Sequence, residues 1–196
     1  MRYIVILLLA AMTMLSCSEE KKQSAPVVEQ KSDIELLREK IQSNPNDADA
    51  QFHLAEFYER ANLYQEQIET LKKVVAIRPD MGYAHFKLGT AYNRLGMYQE
   101  AVASFTKAAK YEHKQPMIYN NMAFSYGKLG KIDEEIAALQ KAISMRPDYG
   151  IAHFNLGMAY LKAGKRDAAM KEHSRLKNID EPLAATLKKQ IDAGRK

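Results

Sequence analysis

A 34-residue period runs through most of this chain and leaves few folds open to it. Gly82–Tyr92, GYAHFKLGTAY, returns as GIAHFNLGMAY at Gly150–Tyr160, with eight of eleven letters shared. Half that spacing sets four consecutive units in register, starting at residues 48, 82, 116 and 150. Place seven of each unit holds Leu54, Leu88, Met122 and Leu156. Place eight is small throughout: Ala55, Gly89, Ala123 and Gly157. Place eleven is always tyrosine: Tyr58, Tyr92, Tyr126 and Tyr160. Place fifteen is Asn62, Gly96, Gly130 and Gly164, residues able to take the left-handed conformation that ends a helix. A unit this short cannot bury its own apolar face, so the units must stack.

Composition says what the units are made of. Ala, Leu, Lys, Glu, Gln and Met dominate, and no alternating β-branched run follows residue 30, so helices are expected and strands are not. Place twenty is Gln67, Ala101, Glu135 and Ala169; place twenty-four is Leu71, Phe105, Leu139 and His173. Place twenty-seven is Val74, Ala108, Ala142 and Leu176, and Pro79 and Pro147 stand at place thirty-two. This pattern resembles the tetratricopeptide repeat, a helix–turn–helix of 34 residues, over residues 48–181. The resemblance implies an all-α, right-handed superhelical solenoid. Its repeats would span 48–81, 82–115, 116–149 and 150–181. Small residues at places eight and twenty let the two helices of a hairpin approach, and large ones at seven, eleven and twenty-four fill the space between. Gln67, Glu135 and His173 depart from the pattern, as does His113 where proline is usual, so looser joints are expected there. A half-repeat helix over residues 33–47 (DIELLREKIQS, then Pro45) should cover the front. The last segment, 182–196, should be a capping helix and tail; the helical stripe Leu183, Leu187 and Ile191, read over Glu181–Ala193, should cover the back. That makes ten helices.

The start of the chain, MRYIVILLLAAMTMLSC, has one cation, Arg2, before an apolar run from Tyr3 to Leu15. Thirteen residues at ~1.5 Å each reach about 20 Å, short of a ~30 Å hydrocarbon core, which suits a signal peptide better than a membrane span. A small residue followed by Cys17 resembles the lipobox of bacterial lipoproteins, with Met14 replacing the usual leucine. The resemblance implies a signal peptide over 1–16, cleavage before Cys17, and acyl chains on its sulfur and new amine. Ser18 after the cysteine implies no retention at the inner membrane, hence an outer-membrane anchor facing the periplasm. The polar, proline-broken stretch up to residue 32 reads as a flexible tether. With a single cysteine, no intramolecular disulfide is available.

Charge and motifs bound the chemistry. Residues 1–160 carry 19 Lys/Arg and 19 Asp/Glu, whereas 161–196 carry 10 and 5, so the whole +5 excess sits at the C-terminal end. That basic end reads as a solvated face, and no nucleic-acid role is expected. His85 and His153 occupy place four of repeats that lie roughly 30–40 Å apart along a stack of helices spaced ~8–10 Å. They cannot share a zinc ion whose ligands sit at ~2 Å. They read as fillers between helices, and the place-eleven tyrosines as interior packing residues. Adjacent acids such as Glu134 and Glu135 read as solvated. No phosphate loop, HExxH, GxSxG or paired CxxC occurs, so no enzyme, metal, cofactor or small-molecule substrate is expected.

What remains is a groove. In the family that the chain resembles, places two, five, nine and twelve of each first helix face the concave surface. Here these are Asp49, Phe52, Glu56 and Glu59; Tyr83, Phe86, Thr90 and Asn93; Met117, Asn120, Phe124 and Gly127; and Ile151, Phe154, Met158 and Leu161. The lining should run from acidic to apolar and accept an amphipathic helix or extended segment of another protein. The clamp that holds the C-terminal carboxylate of chaperones is absent, because Phe52, Glu56, Phe86 and Thr90 stand where its lysine and asparagine would be. A non-catalytic, lipid-anchored scaffold in the cell envelope is the expected function, with assembly of an envelope complex as its setting. Self-association through the apolar C-terminal repeats is the alternative, and a metal-binding or enzymatic accessory role the remote one.

Overall fold

The computed structural model describes residues 32–112 and 114–194. The expected signal peptide, Cys17, most of the tether and His113 lie outside the described residues. Among the described residues ten helices follow one another: α1 (Asp33–Ser43), α2 (Ala48–Arg60), α3 (Tyr64–Ile77), α4 (Gly82–Arg94), α5 (Tyr98–Tyr111), α6 (Pro116–Lys128), α7 (Ile132–Met145), α8 (Gly150–Lys162), α9 (Arg166–Leu176) and α10 (Glu181–Ala193). Each packs on its neighbours in sequence, giving an all-α solenoid with no strand among the described residues.

The first turn of the unit recurs in all four repeats and the second in three. Asn62, Gly96, Gly130 and Gly164 all have φ between 57° and 74°. One residue later, the N–H groups of Leu63, Met97, Lys131 and Lys165 donate to the carbonyls of Tyr58, Tyr92, Tyr126 and Tyr160 at 2.8–3.0 Å. That is the 6→1 bond of the Schellman motif, which needs a left-handed residue at place fifteen. At the other turn the side chain at place four ties down the place-thirty-two carbonyl of the preceding unit. Gln51 Nε2 donates to Pro45 O at 3.4 Å, and the Nε2 atoms of His85 and His153 reach Pro79 O and Pro147 O at 2.9 Å. The two histidines are therefore turn clamps as well as fillers.

Packing follows the small-and-large code. Places twenty and twenty-seven are buried in every unit, and Leu71, Phe105 and Leu139 are buried at place twenty-four. A Cβ at Gly89 would stand 2.7 Å from the Phe105 ring, so the hairpin α4–α5 closes only on glycine. The expected loose joints are corrected here. Gln67 is 1% exposed, and Glu135 is buried with its carboxylate lying over Gly127, where a Cβ would meet it at 2.8 Å. Its carboxylate is tied to Lys162 Nζ at 2.9 Å, so Glu135 is not the solvated acid its neighbour Glu134 is. Where His173 fails to fill the fourth hairpin, the capping helix does so: Leu187, fully buried, comes so close that a Cβ on Gly157 would lie 2.5 Å from its methyl. Of the place-eleven tyrosines only Tyr92 is fully buried; Tyr126 and Tyr160 pack half-exposed against the core, and Tyr160 takes a bond from Gln140.

Candidate functional site

Places two, nine and thirteen of a helix are spaced i, i+7 and i+11, so they form one stripe on its surface. The four first helices α2, α4, α6 and α8 bring their stripes together. At place two, Tyr83, Met117 and Ile151 are 44, 44 and 53% exposed, and at place nine Phe124 is 49% exposed. Four large apolar side chains thus stand open on one face, a surface that water disfavours and that a partner would cover.

The rest of the expected site divides. Phe52 is the correction. It is buried, its ring lying 5.8 Å from that of Tyr83 in the next repeat, so it is core and no contact residue. Phe86 is half-buried between Tyr83, 6.1 Å away, and Phe105, 5.9 Å away; Phe154 is half-buried against the terminal core. These rings hold the exposed Tyr83 and its neighbours in place from below. Glu56, Thr90, Asn120, Met158 and Leu161 are half-buried along the face. Thr90 and Asn120 spend their side-chain oxygens internally, on Lys87 O and on Asn155 Nδ2.

The expected acidic end of the groove is also revised. Asp49 pairs with Arg78 at 2.8 Å, Glu56 with the His53 ring at 3.1 Å, and Glu59 with Lys87 at 2.7 Å. Burial pulls the Lys87 ammonium down, but the hydrogen bond and charge of Glu59, aided by Tyr83, outweigh it and hold the group above its usual range. A ladder of polar links joins the repeats along this face. Lys87 reaches Glu59, Ser125 donates to Asn93 at 2.8 Å, Asn155 donates to Asn120 at 3.0 Å, and Lys162 reaches Glu135. The first three rungs fix one first helix against the next, and the last ties α8 to the second helix α7.

Place thirteen was missed in the sequence, although it was there to be read. It is basic in every unit: Arg60, Arg94, Lys128 and Lys162, all exposed in the last turn of a first helix. A cation there is favoured by the helix dipole, so one alone means little. Four in register line one edge of the face with positive charge. Three cavities open along it. About 300 Å³ lies beside Gln67, Phe86 and Lys87, about 400 Å³ beside Arg94 and Asn121, and about 440 Å³ beside Glu135, Asn155 and Lys162. Among the described residues no cluster of His, Cys, Asp and Glu could hold a metal ion, and no helix is long and apolar enough to cross a membrane.

Comparison with known proteins agrees with the repeat geometry. A family model described as tetratricopeptide repeat matches residues 34–82, and another of that description matches 83–113 and 151–181. One described as TPR repeat matches 128–164. Among solved structures, a crystal structure of MamA is 26% identical, with 78% of this chain and 89% of that one covered at a TM-score of 0.74. MamA of Desulfovibrio magneticus RS-1, from residue 41 to the end, is 17% identical and covers 76% of this chain and 84% of that one at 0.72. YrrB, described as a TPR protein with an unusual peptide-binding site, is 21% identical and covers 76% of each chain at 0.66. The last two likenesses show the fold alone. A search of the curated proteins finds no match.

Proposed function

This chain is built of tetratricopeptide repeats, and from that premise we propose that it is a non-catalytic scaffold holding a segment of another protein on the face of its first helices. The observation that carries the reading is the exposed column Tyr83, Met117 and Ile151 with Phe124 beside it, on a frame cross-linked by inter-repeat bonds. A rigid apolar face loses little conformational entropy on binding, so most of the burial free energy is available to the complex. The peptide-binding site named for YrrB, on the same fold, supports a peptide or protein occupant.

The location is part of the same proposal. Cys17 and the apolar run before it would place the scaffold on a bilayer, the stretch up to residue 32 would give it reach, and the envelope would supply the partner. Several acyl chains at ~0.8 kcal/mol per buried CH₂ anchor a protein firmly. Cys17→Ala should move the protein out of the membrane fraction, and unchanged fractionation would remove the anchor from the proposal. The docking face has its own test. Combined replacement of Met117, Phe124 and Ile151 by alanine should abolish capture of a partner from envelope extracts while leaving the melting temperature within a few degrees, because all three are exposed. Capture that survives the triple change moves the site elsewhere. Light scattering on the same samples distinguishes a foreign partner from a second copy of this chain.

A further inference from the structure

Resting on the docking reading above, we infer that the segment held across the second to fourth repeats is extended and acidic. Two carboxylates four residues apart would bracket, on one face of that segment, an apolar side chain that covers Phe124. The Phe124 ring is the centre of the argument. Tyr98 meets it edge-on at 6.3 Å, Lys128 Nζ lies 5.4 Å from its centroid, and a cavity opens on either side. One, of about 400 Å³, is walled by Thr90, Asn93, Arg94 and Asn121. The other, of about 440 Å³, is walled by Lys128, Asn155, Met158 and Lys162 with Glu135 behind.

The charges of these walls are unequal in kind. Each carboxylate on this face already has a partner: Asp49 with Arg78, Glu56 with His53, Glu59 with Lys87, and Glu135 with Lys162. Among the described residues Arg94 has no anionic partner, and Lys128 has only the ring of Phe124. A guest cation would meet unpaired positive charge and no unpaired carboxylate. A guest carboxylate would find the guanidinium fork of Arg94 in one cavity and the ammonium of Lys128 in the other. The spacing then sets the peptide. An extended chain advances about 3.3 Å per residue and turns alternate side chains to the same face. Carboxylates four residues apart therefore stand about 13 Å apart on one face, a span that the long side chains of Arg94 and Lys128 can meet from helices ~8–10 Å apart. The side chain midway between them shares that face and lies over Phe124, a large apolar group between the two cations.

The test uses the full chain and three end-blocked fluorescent peptides, GSETLTEGS, its neutral twin GSQTLTQGS and its basic twin GSKTLTKGS, read by anisotropy at low and high salt. The acidic peptide should bind about tenfold or more tightly than the neutral one at low salt, and the gap should narrow as salt screens it. Arg94→Ala with Lys128→Ala should erase the gap. Arg94→Glu with Lys128→Glu should invert the preference towards the basic twin, which a folding defect cannot do. Equal binding of the acidic and neutral peptides, both lost in Phe124→Ala, overturns the acidic partner and leaves the docking face standing. An acidic preference that survives the double change assigns it to another basic surface and overturns the inference. Absence of binding by all three peptides overturns it as well, while partner capture that still depends on Met117, Phe124 and Ile151 would keep the broader reading.

Discussion

The second and fourth repeats are near-copies over their first helices, yet their matching histidines sit in different chemistry. His85 donates from Nε2 to Pro79 O, and its Nδ1 is buried with no partner, the ring stacked 6.0 Å from Tyr111. His153 makes the same bond to Pro147 O, but its Nδ1 stands 2.6 Å from Glu172 Oε2. The cause is one residue: place twenty-three is Ser104 in the second repeat and Glu172 in the fourth. Because Nε2 must donate to a carbonyl, the short Nδ1–Oε2 contact requires a proton between ring and carboxylate. Glu172, only 4% exposed at its side chain, also accepts from Arg175. The same brick has therefore been set once with an unpartnered Nδ1 and once with both ring nitrogens hydrogen-bonded. A motif shared at eight positions of eleven does not fix its own hydrogen-bond partners; the facing helix does.

The largest effect should come from cutting that pair. His153→Ala removes a buried ring and two hydrogen bonds and leaves a buried Glu172 oxygen without its partner, so a loss of about 3–5 kcal/mol is expected. His85→Ala removes a ring and one hydrogen bond but strands no charge, so about 1–3 kcal/mol is expected. Urea denaturation of the two variants measures the difference. Equal losses would mean that the Glu172 contact adds nothing to the clamp.

The next contrast tests how each hairpin is filled. Gly89 faces the buried ring of Phe105 on its own partner helix, whereas Gly157 faces Leu187 on the capping helix α10. A methyl at either position overpacks, at ~1–3 kcal/mol. The ring cannot yield without moving α5, so Gly89→Ala should lie at the upper end and lower global stability. The Leu187 side chain, or α10 itself, can shift, so Gly157→Ala should lie at the lower end and speed amide exchange in α10 selectively. If exchange in α10 is unchanged, the cap is not what closes the fourth hairpin.

How much of this was open to a reader of the letters alone differs by kind of contact. Period, turn residues and helix ends were legible because each is a local rule. A left-handed place fifteen and an apolar stripe follow from the backbone, and the ends expected for α1 and α10 agree with those observed. Contacts between units were not, since they depend on which side chains meet across a joint. Glu135 looked solvated beside Glu134 because nothing local says that Gly127 leaves room for its carboxylate or that Lys162 lies within reach. Phe52 looked like a groove residue because place five is scored by facing angle, and angle does not report that Tyr83 of the next repeat lies over it. His173 looked like a packing defect because its replacement, Leu187, is supplied from a helix outside the period. The basic column at place thirteen was the legible feature passed over, a plain recurrence whose separate members look like helix-end charges.

The smallest effect concerns protons, and it sharpens the comparison of the two histidines from the other side. Burial lowers the His85 pKa below its ordinary 6.5; the bond to Pro79 O opposes this, and Lys107 adds to it. A depressed histidine binds its proton more readily in the unfolded chain than in the folded one, so unfolding takes up protons and stability falls with pH. The loss begins as pH drops through about 6.5, where the unfolded histidine charges, and levels off only below the depressed folded value. His85→Gln keeps a donor for Pro79 O, as Gln51 does for Pro45 O in the first repeat, and removes the titration. The variant should therefore lose less melting temperature between pH 7.5 and 5.5 than the wild type, by a few degrees at most. Identical pH profiles for wild type and His85→Gln would show that the unpartnered Nδ1 takes up a proton in the folded state at no cost, and the distinction drawn between the two repeats would then be one of geometry only.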